Sequence, residues 1–241
     1  IADNSAGAEG SGSSHKRHWL GFDKWRDEFD ITLVEGNGKV TVSGGAGSGT
    51  FTASGGSYVS DQGDGSTLTR PNGNFVLTAS DGTVTTFDHY DYRDGYRATQ
   101  VRRPDGETLN LTYTFGSFWL SDQFGEPVEM SRPEAVQSSS GYRLTFQYAN
   151  NQPNSRESAK QWLLRTGITL TNTQRGGVVG STTYTYYGYS GARSLAITDN
   201  AGRVTSYGID SSGRITSITG PGSSGPDVSI VYNSVGRISN V

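Results

Sequence analysis

Acidic side chains form the groupings in this sequence that most resemble a catalytic or metal-binding pattern. They are Asp27, Glu28 and Asp30; Asp88, Asp91 and Asp94; and Asp61 and Asp64 in the stretch DQGDG. A glycosidase needs two carboxylates about 5–10 Å apart across a cleft, a separation that the sequence cannot establish. EF-hand calcium ligands alternate along their loop and end in a glutamate. DQGDG has neither feature. In the group of Asp88, Asp91 and Asp94, the last two residues lie close to Gly95, which is typical of a turn.

Histidine and cysteine add little further chemistry. His15 and His18 could ligate a metal together, but no third ligand is evident near them, and a solvated loop is the simpler interpretation. The chain has no cysteine, which excludes a disulfide, a thiolate nucleophile and a cysteine-ligated metal. It also lacks the G-x-S-x-G, P-loop and H-E-x-x-H motifs. We therefore expect no enzymatic activity, no metal and no cofactor.

A tyrosine-rich stretch, YTYYGY at 184–189, is the best candidate for a binding surface. Its aromatic residues are Tyr184, Tyr186, Tyr187 and Tyr189. Alternation along a strand buries only one face, so some of these rings should be exposed, where they can stack on sugars or contact a protein. Alternatively, both faces are covered, or the tyrosines form cross-strand ladders. We favour the ladder.

The overall composition indicates a folded, turn-rich chain. Its 241 residues include 34 glycines, 13 tyrosines and 9 phenylalanines, and its net charge is only −3. Nucleic acid is not expected as a partner, because the only basic cluster is the short HKRH at 15–18. No apolar run approaches the roughly 20 residues that span a membrane.

The chain divides into two parts by composition. Residues 1–18 are predicted to form a flexible leader rich in glycine and serine, and residues 19–241 a single β-sheet domain. No signal peptide is visible, and the first residue is Ile1 rather than Met. These features predict a processed product or a piece of a longer protein.

Short alternating runs predict an all-β fold. Residues 108–115, 142–148 and 228–232 each place apolar side chains at every second position. The dipeptides Asn37-Gly38, Asn72-Gly73, Asp81-Gly82 and Asp105-Gly106 are two-residue hairpin signals. Together they predict an antiparallel sheet built by successive hairpins. One face should bury Leu109, Leu111, Tyr113 and Phe115 with Leu144, Phe146 and Tyr148, leaving Thr108, Asn110, Thr112 and Thr114 more exposed.

One segment, residues 155–165, leaves two alternatives open. Ser155 could cap a short helix in which Ala159, Trp162 and Leu163 share a face. A loop followed by a strand through 162–164 fits the residues equally well.

Three stretches near the end of the chain repeat one turn pattern. Their first, fourth and fifth residues are Asp199, Gly202 and Arg203; Asp210, Gly213 and Arg214; and Asn233, Gly236 and Arg237. The pattern is typical of a type I turn followed by a left-handed residue, in which the Asp or Asn caps the backbone and glycine accepts positive φ. Each arginine should pair with a carboxylate or stack on a tyrosine. We interpret the turn as scaffold.

These residues also resemble the YD repeats of RHS proteins. Tyr207 precedes Asp210, Tyr232 directly precedes Asn233, and a Gly-Arg-Ile sequence closes each repeat. Residues 81–88, 105–116 and 195–210 have the same order of turn residues and alternating strand residues as these repeats. DKWRDEFDITL at 23–33 is similar to the tryptophan-containing segment that opens many RHS shells. Two departures are the Gly208-Ile209 insertion after Tyr207 and the asparagine in place of aspartate at 233. The resemblance covers roughly residues 19–241.

The resemblance implies a long antiparallel sheet that curves or spirals into a hollow shell, as in bacterial RHS proteins, toxin-complex cocoons and teneurins. In the bacterial proteins the shell encloses and delivers a toxic domain. It implies that this chain is a structural segment of a secreted or surface protein. Its partners would be the remainder of a parent chain, further copies, or a toxin or effector domain. The alternative is a surface adhesin or carbohydrate-binding module with a glycan as its partner.

A sheet built by successive hairpins is expected to have two open edges. One lies at the first strands, after the leader, and the other at residues 228–241, where only Arg237 could discourage pairing. We expect the second edge to be covered by further sequence of the same parent chain or by another copy, and we favour the former.

Overall fold

The computed structural model describes residues 29–89, 95–119, 127–188 and 193–241. The leader predicted for 1–18 lies outside these ranges, as do His15, His18, Asp27, Glu28, Asp91, Asp94 and Tyr189. The described residues confirm the predicted all-β antiparallel fold. Among them, no helix is long and apolar enough to cross a membrane.

The first eight strands close into a continuous sheet. They are β1 (Thr32–Gly36), β2 (Lys39–Ser43), β3 (Gly49–Ser54), β4 (Ser57–Ser60), β5 (Thr67–Thr69), β6 (Phe75–Thr78), β7 (Val84–His89) and β8 (Gly95–Arg102). Each strand pairs with the next, and β1 also pairs with β8, so that Leu33 lies between Val42 and Tyr96. The prediction of an open edge at the first strands was therefore wrong, because β8 returns to cover β1.

The interior of this closed sheet is a packed apolar core. The partly buried Tyr58 of β4 and Val101 of β8 pack against it. The buried residues are Ile31, Leu33, Val40, Val42, Phe51, Leu68, Phe75, Leu77, Phe87, Tyr96 and Ala98. Their side chains fill the space inside the closed sheet. Strands β1 to β8 therefore enclose a hydrophobic core of their own.

The remaining strands extend from β8 as an open meander. They are β9 (Thr108–Phe118), β10 (Val128–Ser138), β11 (Tyr142–Tyr148), β12 (Arg165–Asn172), β13 (Val178–Tyr187), β14 (Arg193–Thr198), β15 (Val204–Ile209), β16 (Ile215–Thr219) and β17 (Val228–Ser229). The far end of β8 pairs with β9, with Val101 opposite Leu109. A separate two-stranded hairpin follows, formed by β18 (Val231–Tyr232) and β19 (Ile238–Asn240).

The predicted alternation on β9 holds for most of the strand but not for its end. Leu109 and Leu111 are buried and Tyr113 is half-buried, whereas Phe115 is 43% exposed. Asn110 and Thr112 are exposed, while Thr108 and Thr114 are half-buried. The predicted companions Leu144, Phe146 and Tyr148 join the same cluster. The prediction for Phe115 was wrong because this eleven-residue strand extends beyond the cluster that covers its buried face.

The ambiguous segment forms helix α1 (Arg156–Leu163). Ser155 and Ser158 form a reciprocal capping box, in which each hydroxyl accepts a hydrogen bond from the other residue's backbone N–H. Ala159 and Trp162 are buried against Met130, so one face of the helix holds it to the sheet. The helix is thus the correct alternative for this segment.

Only one of the four predicted two-residue hairpins has that form. Asn37 and Gly38, both at positive φ, join β1 to β2 directly. Asn72-Gly73 instead lies in a 3-10 turn, Pro71–Gly73. Asp81-Gly82 and Asp105-Gly106 lie in longer turns, because the residue before each aspartate also belongs to the loop and the glycine takes the fourth position.

Candidate functional site

The three Gly-Arg turns share one backbone geometry. Gly202, Gly213 and Gly236 have φ of 76°, 78° and 79°, which confirms the positive φ that their pattern predicts. In each turn the fourth residue donates to the first carbonyl, and the first N–H donates to the fifth carbonyl, at 2.9–3.0 Å. The turns at 79–83 and 103–107 make the same pair of bonds. The repeated unit is therefore one defined hairpin turn.

The Asp or Asn that begins each turn caps its backbone. The side-chain oxygens of Asp199, Asp210 and Asn233 each accept the backbone N–H of the third and fifth residues, at 2.9–3.1 Å. In the first two turns the second carboxylate oxygen also accepts the Nε–H of the turn's own arginine, at 2.7 Å from Arg203 and 2.8 Å from Arg214. The predicted pairing of these two arginines with carboxylates is confirmed.

The hairpins that carry the second and third turns are equivalent in register. Ile209 pairs with Ile215 and Tyr232 with Ile238, so that in both hairpins the residue before the turn faces the residue after it. Both then skip one residue on the returning strand, Thr216 in the first and Ser239 in the second. Such a bulge redirects the strand and its carbonyl groups. The hairpin of the first turn has a regular register without a skip.

The second and third hairpins interlock through this bulge. The Arg214 guanidinium lies over the Tyr232 ring at 4.4 Å. The Tyr232 hydroxyl donates to the Ile215 carbonyl at 2.8 Å, and the Ile230 N–H donates to the Thr216 carbonyl at 2.8 Å. One arginine is thus paired with its own turn's aspartate and stacked on the tyrosine of the next repeat, which confirms the expected stacking at this position.

The turn carboxylates should titrate unusually low. The pKa values of Asp199 and Asp210 are lowered chiefly by the hydrogen bond from the backbone N–H of the turn arginine. The hydrogen bond from the guanidinium of the same arginine lowers them further. A carboxyl whose pKa is lower in the folded state stabilises the fold fully above its unfolded pKa of about 3.9. That stabilisation is lost as the pH falls through the folded pKa.

We therefore expect the amide signals of Arg203 and Arg214 in an NMR pH titration to shift with midpoints below about 3.9. Arg237 provides an internal control, because its amide donates to the uncharged side chain of Asn233. Its signal should show no such step. Midpoints at or above the ordinary aspartate value would contradict the assigned hydrogen bonds.

The predicted tyrosine surface is divided between two faces of the sheet. Tyr184 and Tyr186 are half-buried and lie opposite Ile197 and Leu195, whereas Tyr187 is 57% exposed. Burial raises the pKa of Tyr186 to about 12. Tyr187 therefore lies on the opposite face from Tyr184 and Tyr186, and the role of the tyrosines in binding stays a prediction.

The open sheet has two chemically different faces. One cross-strand row consists of Tyr186, Leu195, Tyr207, Ile218 and Val228. The row of the opposite face consists of Thr185, Ala196, Ser206 and Thr219. An open groove of about 470 Å³ is lined on one side by Leu144, Ile168 and Leu170 and on the other by polar residues, which are Ser181, Thr182, Asp199, Asn200 and Arg203.

The acidic candidates that the structure describes, Asp30, Asp61, Asp64 and Asp88, do not line this groove. Asp61 pairs with Lys39 at 2.8 Å and accepts the Thr52 hydroxyl, and Asp64 accepts the N–H and hydroxyl of Ser66. The Asp88 carboxylate accepts a hydrogen bond from the side-chain amide N–H of Asn74 at 2.8 Å. Among the described residues, no group of three or more His, Asp or Glu side chains could hold a metal ion.

Sequence reasoning missed two arginines that organise their surroundings. Arg70 contacts Glu35 at 3.0 Å and the Tyr96 hydroxyl at 2.6 Å, at one end of the closed sheet. Arg132 donates to the carbonyl groups of Asn150 and Trp162, and its guanidinium lies 4.3 Å from the Trp162 ring. Arg70 also donates to the nearby Gly73 carbonyl at 3.3 Å. The contacts with Glu35 and Tyr96 and those of Arg132 with Asn150 and Trp162 have no local sequence signal, because they join residues at least 18 positions apart.

Comparison with known proteins gives distant structural matches only. No protein-family profile and no curated protein sequence matches the chain. The N-terminal domain of effector protein SpvB from Salmonella typhimurium strain LT2 is 11% identical, with a TM-score of 0.40 over 66% of this chain and 70% of that chain. The crystal structure of TcdB2-TccC3-Cdc42 matches at 12% identity and a TM-score of 0.46, over 78% of this chain and 14% of that chain. Similarity at this level assigns neither a family nor an activity.

Proposed function

We propose that this chain is a structural β-repeat segment of a secreted or cell-surface protein of the RHS type. In this proposal the segment encapsulates or presents a toxin or effector, or forms an extracellular assembly, and carries no catalytic step itself. The interlock of consecutive hairpins carries the proposal. Arg214 pairs with the aspartate of its own turn and stacks on the tyrosine of the next hairpin. A repetitive scaffold needs such contacts between neighbouring repeats in order to extend.

The two-faced sheet supports a role in covering another polypeptide. The groove is open, and Leu170, one of its apolar lining residues, lies next to Thr169, which points to the opposite face. A scaffold that encloses a partner would place the apolar face inward and the hydroxyl-bearing face toward water.

The test is photo-cross-linking in the intact natural gene product that contains this sequence. A photoreactive phenylalanine analogue at Leu170 should cross-link to an effector polypeptide, and the same analogue at Thr169 should not. Cross-links of equal yield at both positions, or none at Leu170, would overturn the proposal.

A carbohydrate-binding role is the second candidate, because one observation favours it. Tyr187 is 57% exposed beside the hydroxyl-bearing face, where a ring can stack on a sugar. If this role is correct, a glycan array will show binding that Tyr187→Ala abolishes. An array without binding would rule out this candidate for the glycans that it displays.

A further inference from the structure

Asn37 and Asn72 are the two asparagines of the sequence that a glycine follows. The side-chain amide carbon of an asparagine is open to attack by the backbone nitrogen of the next residue, and glycine hinders this attack least because it has no Cβ. Both dipeptides are exposed, and a side chain added at Gly38 or Gly73 would meet no atom within 4 Å. Water and solvent base therefore reach both of them.

Each dipeptide has to leave its turn geometry before this attack can occur. Asn72 has φ of 54° and ψ of 28°, which turns the Gly73 nitrogen away from the Asn72 side chain. Asn37, with φ of 52°, lies in the same left-handed region. Ring closure requires rotation about the Cα–C bond of the asparagine, so its rate depends on how easily the turn opens.

Strand pairing holds the turn at Asn37. The residues on either side of the turn, Gly36 and Lys39, are a ladder pair of β1 and β2. The Gly38 carbonyl also accepts the Ala53 N–H of β3 at 3.5 Å. Rotation at Asn37 therefore breaks the end of one ladder and a contact with a third strand.

The turn at Asn72 lies outside the strand ladder. The ladder pair of β5 and β6 nearest to it is Thr69 with Val76. Within the loop between them, the Asn74 N–H donates to the Pro71 carbonyl at 3.1 Å. Opening this turn disturbs no ladder pair, so it costs less than opening the turn at Asn37.

We propose that Asn72 is a site of spontaneous deamidation and that strand pairing protects Asn37 from the same reaction. The Gly73 nitrogen loses its proton to solvent base and bonds to Asn72 Cγ. The Cγ–Nδ2 bond breaks, and Nδ2 takes a proton from solvent and leaves as ammonia. Water then opens the succinimide ring at either of its two C–N bonds and gives aspartate or isoaspartate. In total, a water molecule is consumed and an ammonia molecule is released.

The product places a negative charge next to Arg70. The Arg70 Nε–H donates to the Gly73 carbonyl at 3.3 Å, and its guanidinium pairs with Glu35 at 3.0 Å. A carboxylate at position 72 is a second acceptor for the same guanidinium, in competition with Glu35. The modification concerns the closed sheet and not the groove at Leu170, so it stands or falls independently of the proposed function.

The experiment follows tryptic peptides of the full chain by mass spectrometry during incubation at mildly acidic and mildly alkaline pH. Cleavage after Lys39 puts Asn37 and Asn72 on separate peptides, and tandem spectra locate the mass gain. We expect Asn72 to react about tenfold faster than Asn37, which corresponds to about 1.4 kcal/mol of difference in opening cost. The reaction should be faster at alkaline pH, because the attacking nitrogen has to lose its proton.

Two controls separate the effect of the fold from that of the local sequence. In urea the two sites should react at similar rates, because no ladder then holds the turn at Asn37. Asn72→Gln should show no mass gain at position 72, since the longer side chain closes its ring much more slowly. On ageing, the Arg70 Nε–H signal in NMR should shift in the unmodified chain and stay constant in this variant.

The proposal fails if folded Asn72 gains no mass while the chain in urea does, or if folded Asn37 reacts at least as fast as Asn72. A tenfold difference that persists in urea would contradict it as well, because neighbouring residues and not strand pairing would then set the rates. An Arg70 signal that stays constant after deamidation would contradict the contact with the new carboxylate.

Discussion

Replacing Trp162 with alanine is expected to lower the free energy of unfolding by about 3–5 kcal/mol. The side chain is 1% exposed and packs edge-on against Phe118 with ring centroids 5.4 Å apart. It also covers the Arg132 guanidinium, whose pKa burial lowers. The substitution therefore leaves a cavity and removes the ring above a buried cation. Urea denaturation followed by circular dichroism measures the loss.

Trp119→Ala is the matched control, because the Trp119 side chain is 71% exposed. Its replacement should change the unfolding free energy by no more than about 0.5 kcal/mol. Equal losses in the two variants would show that α1 is not held by the packing described for Trp162.

Replacing Gly202 with valine is expected to cost about 1–3 kcal/mol of unfolding free energy. A side chain added at this position would meet no atom within 4 Å, so the cost comes from the backbone at φ +76° alone. The same strain should accompany valine at the equivalent glycines of the other two turns. Thermal or urea unfolding measures the effect.

Gly225→Val separates backbone strain from the general effect of losing a glycine. A side chain at Gly225 also meets no atom within 4 Å, but this residue is outside the left-handed region. We expect little loss of stability there. If the two valine variants unfold alike, the left-handed turn contributes nothing specific to the fold.

The sequence predicts those features that depend on local chemistry. The turns follow from the position of Asp or Asn and glycine, and the buried face of β9 follows from alternation through Tyr113. The capping of α1 by Ser155 likewise has a local pattern. In each case the deciding atoms lie within a few residues of one another.

The features that were missed depend on distant parts of the chain. Closure of the first sheet requires β1 to meet β8, and no residue in Thr32–Gly36 signals which strand will cover it. The exposure of Phe115 depends on where neighbouring elements end. Thr216 and Ser239 have no pairing partner in their hairpins. Each forms a bulge that redirects its carbonyl group, and the alternation of apolar and polar residues in the sequence does not reveal it. These outcomes depend on tertiary packing and not on local residue preferences.

A double-mutant cycle between Arg214 and Tyr232 tests the interlock of consecutive hairpins most directly. Arg214→Ala, Tyr232→Ala and the double variant are compared with the unmodified chain by urea denaturation, and a parallel cycle pairs Arg203→Ala with Tyr232→Ala. The interlock predicts a coupling energy of about 0.5–2 kcal/mol for the first pair and none for the second. Additivity within about 0.3 kcal/mol for the first pair would contradict it, because the two repeats would then be neighbours without being joined.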